Sequence, residues 1–193
     1  MLHMNTDTLA FDFGPSFAKT PSAANAEVII VCEHAANWIP TQLDALGLDD
    51  EVRQSHIAWD PGALGVARKL AELLQGPLIE GCISRLVYDL NRPPESPTAI
   101  PATSEIFDVP GNRDLSDAAR AHRVEAVYEP FRAALAAEIA ARKTALRLMV
   151  TVHSFTPVYK GETRAVELGL LHGRDDRFAQ AMLAHQPEGL PWN

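Results

Sequence analysis

The 193 residues combine 47% hydrophobic with 22% charged side chains and a formal charge of -8, the balance of one globular domain with a sizeable core. The 17 basic residues are scattered, so no positive stripe exists to track a nucleic-acid backbone, and nucleic acid is excluded as a partner class. No apolar run approaches the roughly 20 residues of a membrane span, and the first residues lack the basic start and apolar centre of a secretion signal, which implies a cytoplasmic protein.

Residues 1–25 are rich in Pro, Ser, Ala and Asn and read as an N-terminal arm laid over a domain that occupies residues 26–193. Glu27-Val-Ile-Ile-Val-Cys is a β-branched run of the kind buried on both faces inside a parallel sheet, and it leads into Glu33-His34. After a loop through Ala35–Pro40, residues 61–75 place Leu64, Ala67, Leu70, Ala71 and Leu74 at helical spacing, with Pro61 suited to the first turn. Pro77 to Glu80 and Ser84 to Leu90 read as two short strands. The proline-rich stretch from Asn91 to Leu115 is a long loop. A helical region follows over 115–143, broken or kinked at Pro130; then Leu146 to Val152 is a second central strand that runs into His153. Val166 to Leu171 reads as a further strand and Asp175 to His185 as a helix. Strands alternating with helices predict a three-layer α/β/α sandwich with a mostly parallel central sheet.

In such sheets functional groups collect where strands end at their carboxyl side, the position of both His34 and His153. Asp60, at the end of the connection that follows the first strand, can reach the same crevice. Two histidines and a carboxylate make the ligand set of a catalytic zinc. The alternative for Asp60 is an N-cap of the helix that starts near Pro61, with His34 and His153 as hydrogen-bonded loop residues. His56 is either a rival ligand or a group that orients a ligand or substrate. Arg85, Asn91 and Arg92 could clamp an acidic substrate; equally, Arg85 and Asp89 could form a structural pair with Arg92 exposed. His122-Arg123 reads as part of a solvated helix face. Cys32 and Cys82 read as reduced, and Cys32 as structural, because closeness in sequence to Glu33 and His34 does not by itself make a Cys/His pair.

Taken in order, Glu33-His34-Ala35, His56-Ile-Ala-Trp-Asp60-Pro-Gly-Ala63, Ser84-Arg-Leu-Val-Tyr-Asp-Leu-Asn-Arg92, His122-Arg123 with Tyr128-Glu-Pro130, and Val152-His-Ser-Phe-Thr-Pro157 resemble the N-formylglutamate amidohydrolase family. The resemblance spans residues 27 to about 185. It implies a phosphorylase/hydrolase-like fold of the zinc exopeptidase type, zinc on His34, Asp60 and His153, and a small acidic substrate whose carboxylate meets Asn91 and Arg92, assisted by Arg85. N-formyl-L-glutamate is the substrate implied. A zinc carboxypeptidase, a cell-wall amidase or a metal-free binding domain are the alternatives. Carboxypeptidases carry their carboxylate ligand three residues after the first histidine, where this chain has Asn37; cell-wall amidases take theirs before the next helix, as at Asp60. The general base of that superfamily is a glutamate on a late strand, expected here beyond Asn193, with the domain lacking its C-terminal end.

Overall fold

The computed structural model describes residues 13–187 apart from 24 and 160. They form two compact units that divide after Phe155. In the first, β1 (Phe17–Lys19), β2 (Val28–Cys32), β3 (Leu78–Gly81) and a later strand, β6 (Leu148–Thr151), make one sheet in the order β1-β3-β2-β6. The β2 strand pairs in parallel with β3 and with β6, and β1 closes the β3 edge antiparallel. The sheet is therefore mostly parallel, as expected. The supposed N-terminal arm corrects in part: Phe17–Lys19 is an edge strand, because β3 offers it an unsatisfied row of backbone groups. Residues 1–12 lie outside the described residues.

Alternation along β2 builds the layers. Ile29 and Val31 face one core with Ile79, Val127 and Phe131, whereas Ile30 and Cys32 face another with Leu78, Ala63, Ala67 and Ala71. The helix α2 (Ala63–Leu74), preceded by the single turn α1 (Asp50–Gln54), supplies the second layer through its alanines. Those three small residues at i, i+4 and i+8 let the helix lie close to the sheet. Leu74, expected on that face, is 45% exposed because the buried stripe runs through Ala63, Ala67 and Ala71 instead. On the other face α3 (Asp117–Arg123) passes through a π-helical turn, Val124–Tyr128, into α4 (Glu129–Ala141). The expected disruption at Pro130 is thus a wider turn just before it, which accommodates a residue with no N–H to donate.

Ser84–Leu90 is not a strand. It is a sequence of turns, yet Leu86, Val87 and Tyr88 are fully buried. Burying each such side chain contributes about 1.5–3 kcal/mol, provided the irregular backbone finds partners. It does. Ser84 N donates to Trp38 O, Arg85 N to Ala58 O and Val87 N to Ser84 O; the Leu86 carbonyl accepts from Asn112 Nδ2 and that of Val87 from Arg123 Nη1. Arg123 is accordingly buried, not part of a solvated face, and burial lowers its pKa to about 10. The long loop carries a two-strand ribbon, β4 (Thr103–Ser104) with β5 (Phe107–Asp108).

The second unit contains a small hairpin, β7 (Val158–Tyr159) with β8 (Glu162–Thr163), and the helix α5 (Arg177–Ala184). Val166 to Leu171 has no regular secondary structure, with a bend at Glu167, and is not the expected strand; Leu171 is 96% exposed. Among the described residues no helix is long and apolar enough to cross a membrane.

Candidate metal centre

The strand β2 delivers Glu33 and His34 at its carboxyl end, and β6 delivers His153 two residues beyond its own. Because the two strands are hydrogen-bonded neighbours, their imidazoles meet, with ring centroids 5.1 Å apart. Asp60 is tied in by its backbone: its N–H donates to the carbonyl of His34 at 2.9 Å. His34, Asp60 and His153 each offer a ligand atom, and these atoms lie within 4.8 Å of one another. The sequence-derived triplet is therefore assembled in space. Asp60 does not cap α2 with its side chain; the cap position is Gly62, where φ is +83°.

One carboxylate oxygen organises the cluster. Asp60 Oδ2 lies 3.3 Å from His34 Nδ1 and 2.8 Å from His153 Nδ1, while Oδ1 faces Arg85 Nη1 at 3.4 Å. His34 Nε2 reaches Asp89 Oδ1 at 2.8 Å, and Asp89 also accepts from Arg85 Nη2 at 2.7 Å and from the backbone N–H of Asn91 at 3.0 Å. Burial alone would raise the Asp60 pKa, but hydrogen bonds from His153 and His34 and the charges of His34 and Arg85 hold it well below the carboxylate range. Asp89 follows the same pattern: burial opposes ionisation, and the His34 hydrogen bond and the His34 and Arg85 charges overcome it. For His34 burial disfavours the imidazolium, yet bonds to Asp60 and Asp89 leave its pKa raised.

Arg85 therefore pairs with Asp89, the structural alternative, and with Asp60 as well. Asn91 and Arg92 are exposed at the start of the long loop, Arg92 Nη1 donating to the Asn91 carbonyl at 2.8 Å. His56 is half-buried and pairs with Glu105 across 3.0 Å, a partner that no spacing in the sequence announces. Asn37 is engaged elsewhere, donating to the Arg53 carbonyl at 3.0 Å. Both cysteines are free thiols; burial, with Glu33 and Asp60 adding to it, pushes Cys32 up to about 12, which removes it as a nucleophile. Asp89 and Glu33 are the members of the surroundings that sequence reasoning did not assign to the site. An acceptor for the second nitrogen of each histidine was the signal to look for.

A mostly parallel α/β sheet with two histidines and an aspartate gathered at the carboxyl ends of neighbouring central strands defines a class of hydrolase-like proteins with a candidate metal centre. The comparisons with known proteins narrow that class. The N-formylglutamate amidohydrolase family model matches residues 26–192, and the chain belongs to that family. The crystal structure of a gene product from Agrobacterium tumefaciens is similar at 51% identity with a TM-score of 0.84, over 89% of this chain and 69% of that one. No curated protein matches. Family membership indicates a hydrolase of the amidohydrolase type and implies a small-molecule substrate.

Proposed function

We propose that this chain is a zinc-dependent hydrolase of a linear amide in a small acidic N-acyl amino acid, N-formyl-L-glutamate giving formate and L-glutamate. The observation that carries the reading is the convergence of His34, Asp60 and His153 in a chain of this family. The donor set fits zinc: two imidazole nitrogens and one carboxylate oxygen, the complement of a catalytic site that keeps a position open. When bound, zinc supplies Lewis acidity toward an amide carbonyl and toward the attacking water. His34 and His153 would hold it through Nδ1 and Asp60 through Oδ2, the atoms that already face one another.

The remaining residues bind and orient. Asp89 occupies Nε2 of His34, which leaves Nδ1 for the ion. Arg85 keeps both aspartates ionised and directed at the histidines. With 30% of its side chain exposed, it also presents a guanidinium face to a substrate carboxylate. Asn91 and Arg92, exposed on the adjoining loop, complete an anion clamp, and His56, held by Glu105, offers a further polar contact. A cytoplasmic setting suits two reduced cysteines.

The test is a comparison of N-formyl-L-glutamate, N-formyl-L-leucine and a peptide on zinc-loaded protein. Preference for the acidic formyl substrate supports the reading. Turnover of the peptide alone would move the chain to the carboxypeptidase or cell-wall amidase chemistry, and absence of both metal and turnover would leave a binding domain.

A further inference from the structure

The two imidazoles of the cluster are surrounded alike. Each turns Nδ1 toward Asp60 Oδ2, and each turns Nε2 toward a second carboxylate. For His34 that carboxylate is Asp89, at 2.8 Å. For His153 it is Glu33 Oε2, at 3.5 Å, just beyond ordinary hydrogen-bond length. Glu33 is 7% exposed, and its Oε2 is a buried oxygen with no hydrogen-bond partner. Buried carboxylate oxygens are seldom left without a donor, since their solvation is lost and nothing replaces it. A donor within a small displacement, in a pocket of this kind, identifies its natural partner.

The backbone fixes Glu33 in that place. It follows β2 directly, and its carbonyl passes so near Gly81 that a Cβ there would lie 2.1 Å from the oxygen. The absence of a side chain at position 81 thus permits this close backbone approach at the end of β2. A metal-bound imidazole is oriented by a carboxylate or carbonyl that accepts the N–H of its other nitrogen. We propose that Glu33 is the positioning residue for His153: it accepts the Nε2–H, fixes the tautomer and presents Nδ1 to the metal, as Asp89 does for His34. The inference rests on the zinc reading above. Because Glu33 lies at the Nε2 side of the ring while Asp60 lies at Nδ1, it acts through His153 and is neither a ligand nor the group that takes a proton from water.

The experiment uses the full chain, labelled with ¹⁵N-histidine and loaded with ¹¹³Cd, together with zinc affinities from competition against a chromophoric chelator. In the wild type, cadmium couples to Nδ1 of both His34 and His153, and both Nε2 atoms carry a proton. Coupling to Nε2 of His153 would overturn the proposal without any variant. Glu33→Ala weakens zinc by about 10- to 100-fold, and Glu33→Gln, whose carbonyl still accepts, recovers most of the loss. Wild-type zinc affinity in folded Glu33→Ala would overturn it even if that variant melts earlier. His34→Ala and Asp60→Ala separate the two levels: loss of zinc in both with unchanged affinity in Glu33→Ala removes only the role of Glu33, whereas a wild type that binds no metal removes the zinc reading and this proposal with it.

Discussion

Asp89→Asn changes almost no volume and removes one charge from the centre of the hydrogen-bonded cluster, so its cost can be worked from the contacts. Asp89 is 4% exposed and accepts from His34 Nε2, Arg85 Nη2 and the backbone N–H of Asn91. Asparagine keeps one acceptor oxygen and turns its NH₂ toward a donor that then has no acceptor. Hydrogen bonds to charged groups contribute about 1.5–3 kcal/mol each, and breaking a buried pair by removing one partner costs about 3–5 kcal/mol. Arg85 remains partly solvated and keeps Asp60, which places the loss at the lower end, about 3 kcal/mol. For a chain of this size that is a fall in Tm of about 6–12 °C. Denaturant titration and calorimetry on metal-free protein measure it. Zinc affinity should fall much less than the roughly 10- to 100-fold that loss of the acceptor would cost, because the asparagine carbonyl still accepts from His34 Nε2 while its NH₂ faces Arg85. A variant within about 0.5 kcal/mol of wild type would refute the reasoning.

Four further outcomes follow. Gly81→Ala forces a Cβ against the Glu33 carbonyl; it should destabilise by at least about 1–3 kcal/mol in urea unfolding and weaken zinc by shifting the end of β2. The pH dependence has a worked sign. The raised pKa of His34 contributes stability present below its ordinary 6.5 and lost as pH rises through the raised value. The lowered pKa values of Asp60 and Asp89 contribute stability present above 3.8 and lost as pH falls. Metal-free protein should therefore melt highest between these limits. The gain in Tm on adding zinc should grow from pH 5 to pH 8, since the ion competes with the proton on His34; a gain independent of pH would contradict this. Arg92→Ala should raise KM for N-formyl-L-glutamate with little change in kcat, and an unchanged KM would remove Arg92 from the clamp.

What was legible in the sequence is what local pattern controls. Val28–Cys32 and Leu148–Thr151 announce themselves as β-branched or apolar runs, and the His34 and His153 that follow inherit their place from the strand ends. Asp60 was legible only as a neighbour of the α2 start; a backbone hydrogen bond to His34, 26 residues away in sequence, brings it to the cluster. Ser84–Leu90 misled because Arg85, Val87 and Asp89 alternate like a strand. The competing signal was Ser84 and Asp89, whose side chains accept from the backbone N–H groups of Leu86 and Asn91 and so favour turns. Phe17–Lys19 was hidden for the opposite reason: an edge strand needs a partner, and β3 lies some 60 residues further on. Val166–Leu171 has strand-forming residues but Gly169 among them and no ladder to join. Arg123 sits in the last turn of α3, where a basic residue needs no special reason; its carbonyl and Asn112 partners belong to distant loops.

The central claim is that His34, Asp60 and His153 hold zinc. Elemental analysis of protein supplied with zinc, beside His34→Ala, Asp60→Ala and His153→Ala, tests it most directly. A single equivalent of zinc per chain, lost in every variant while the fold persists by circular dichroism, is the expected result. Wild-type protein without metal, or variants that keep a full equivalent, would contradict it.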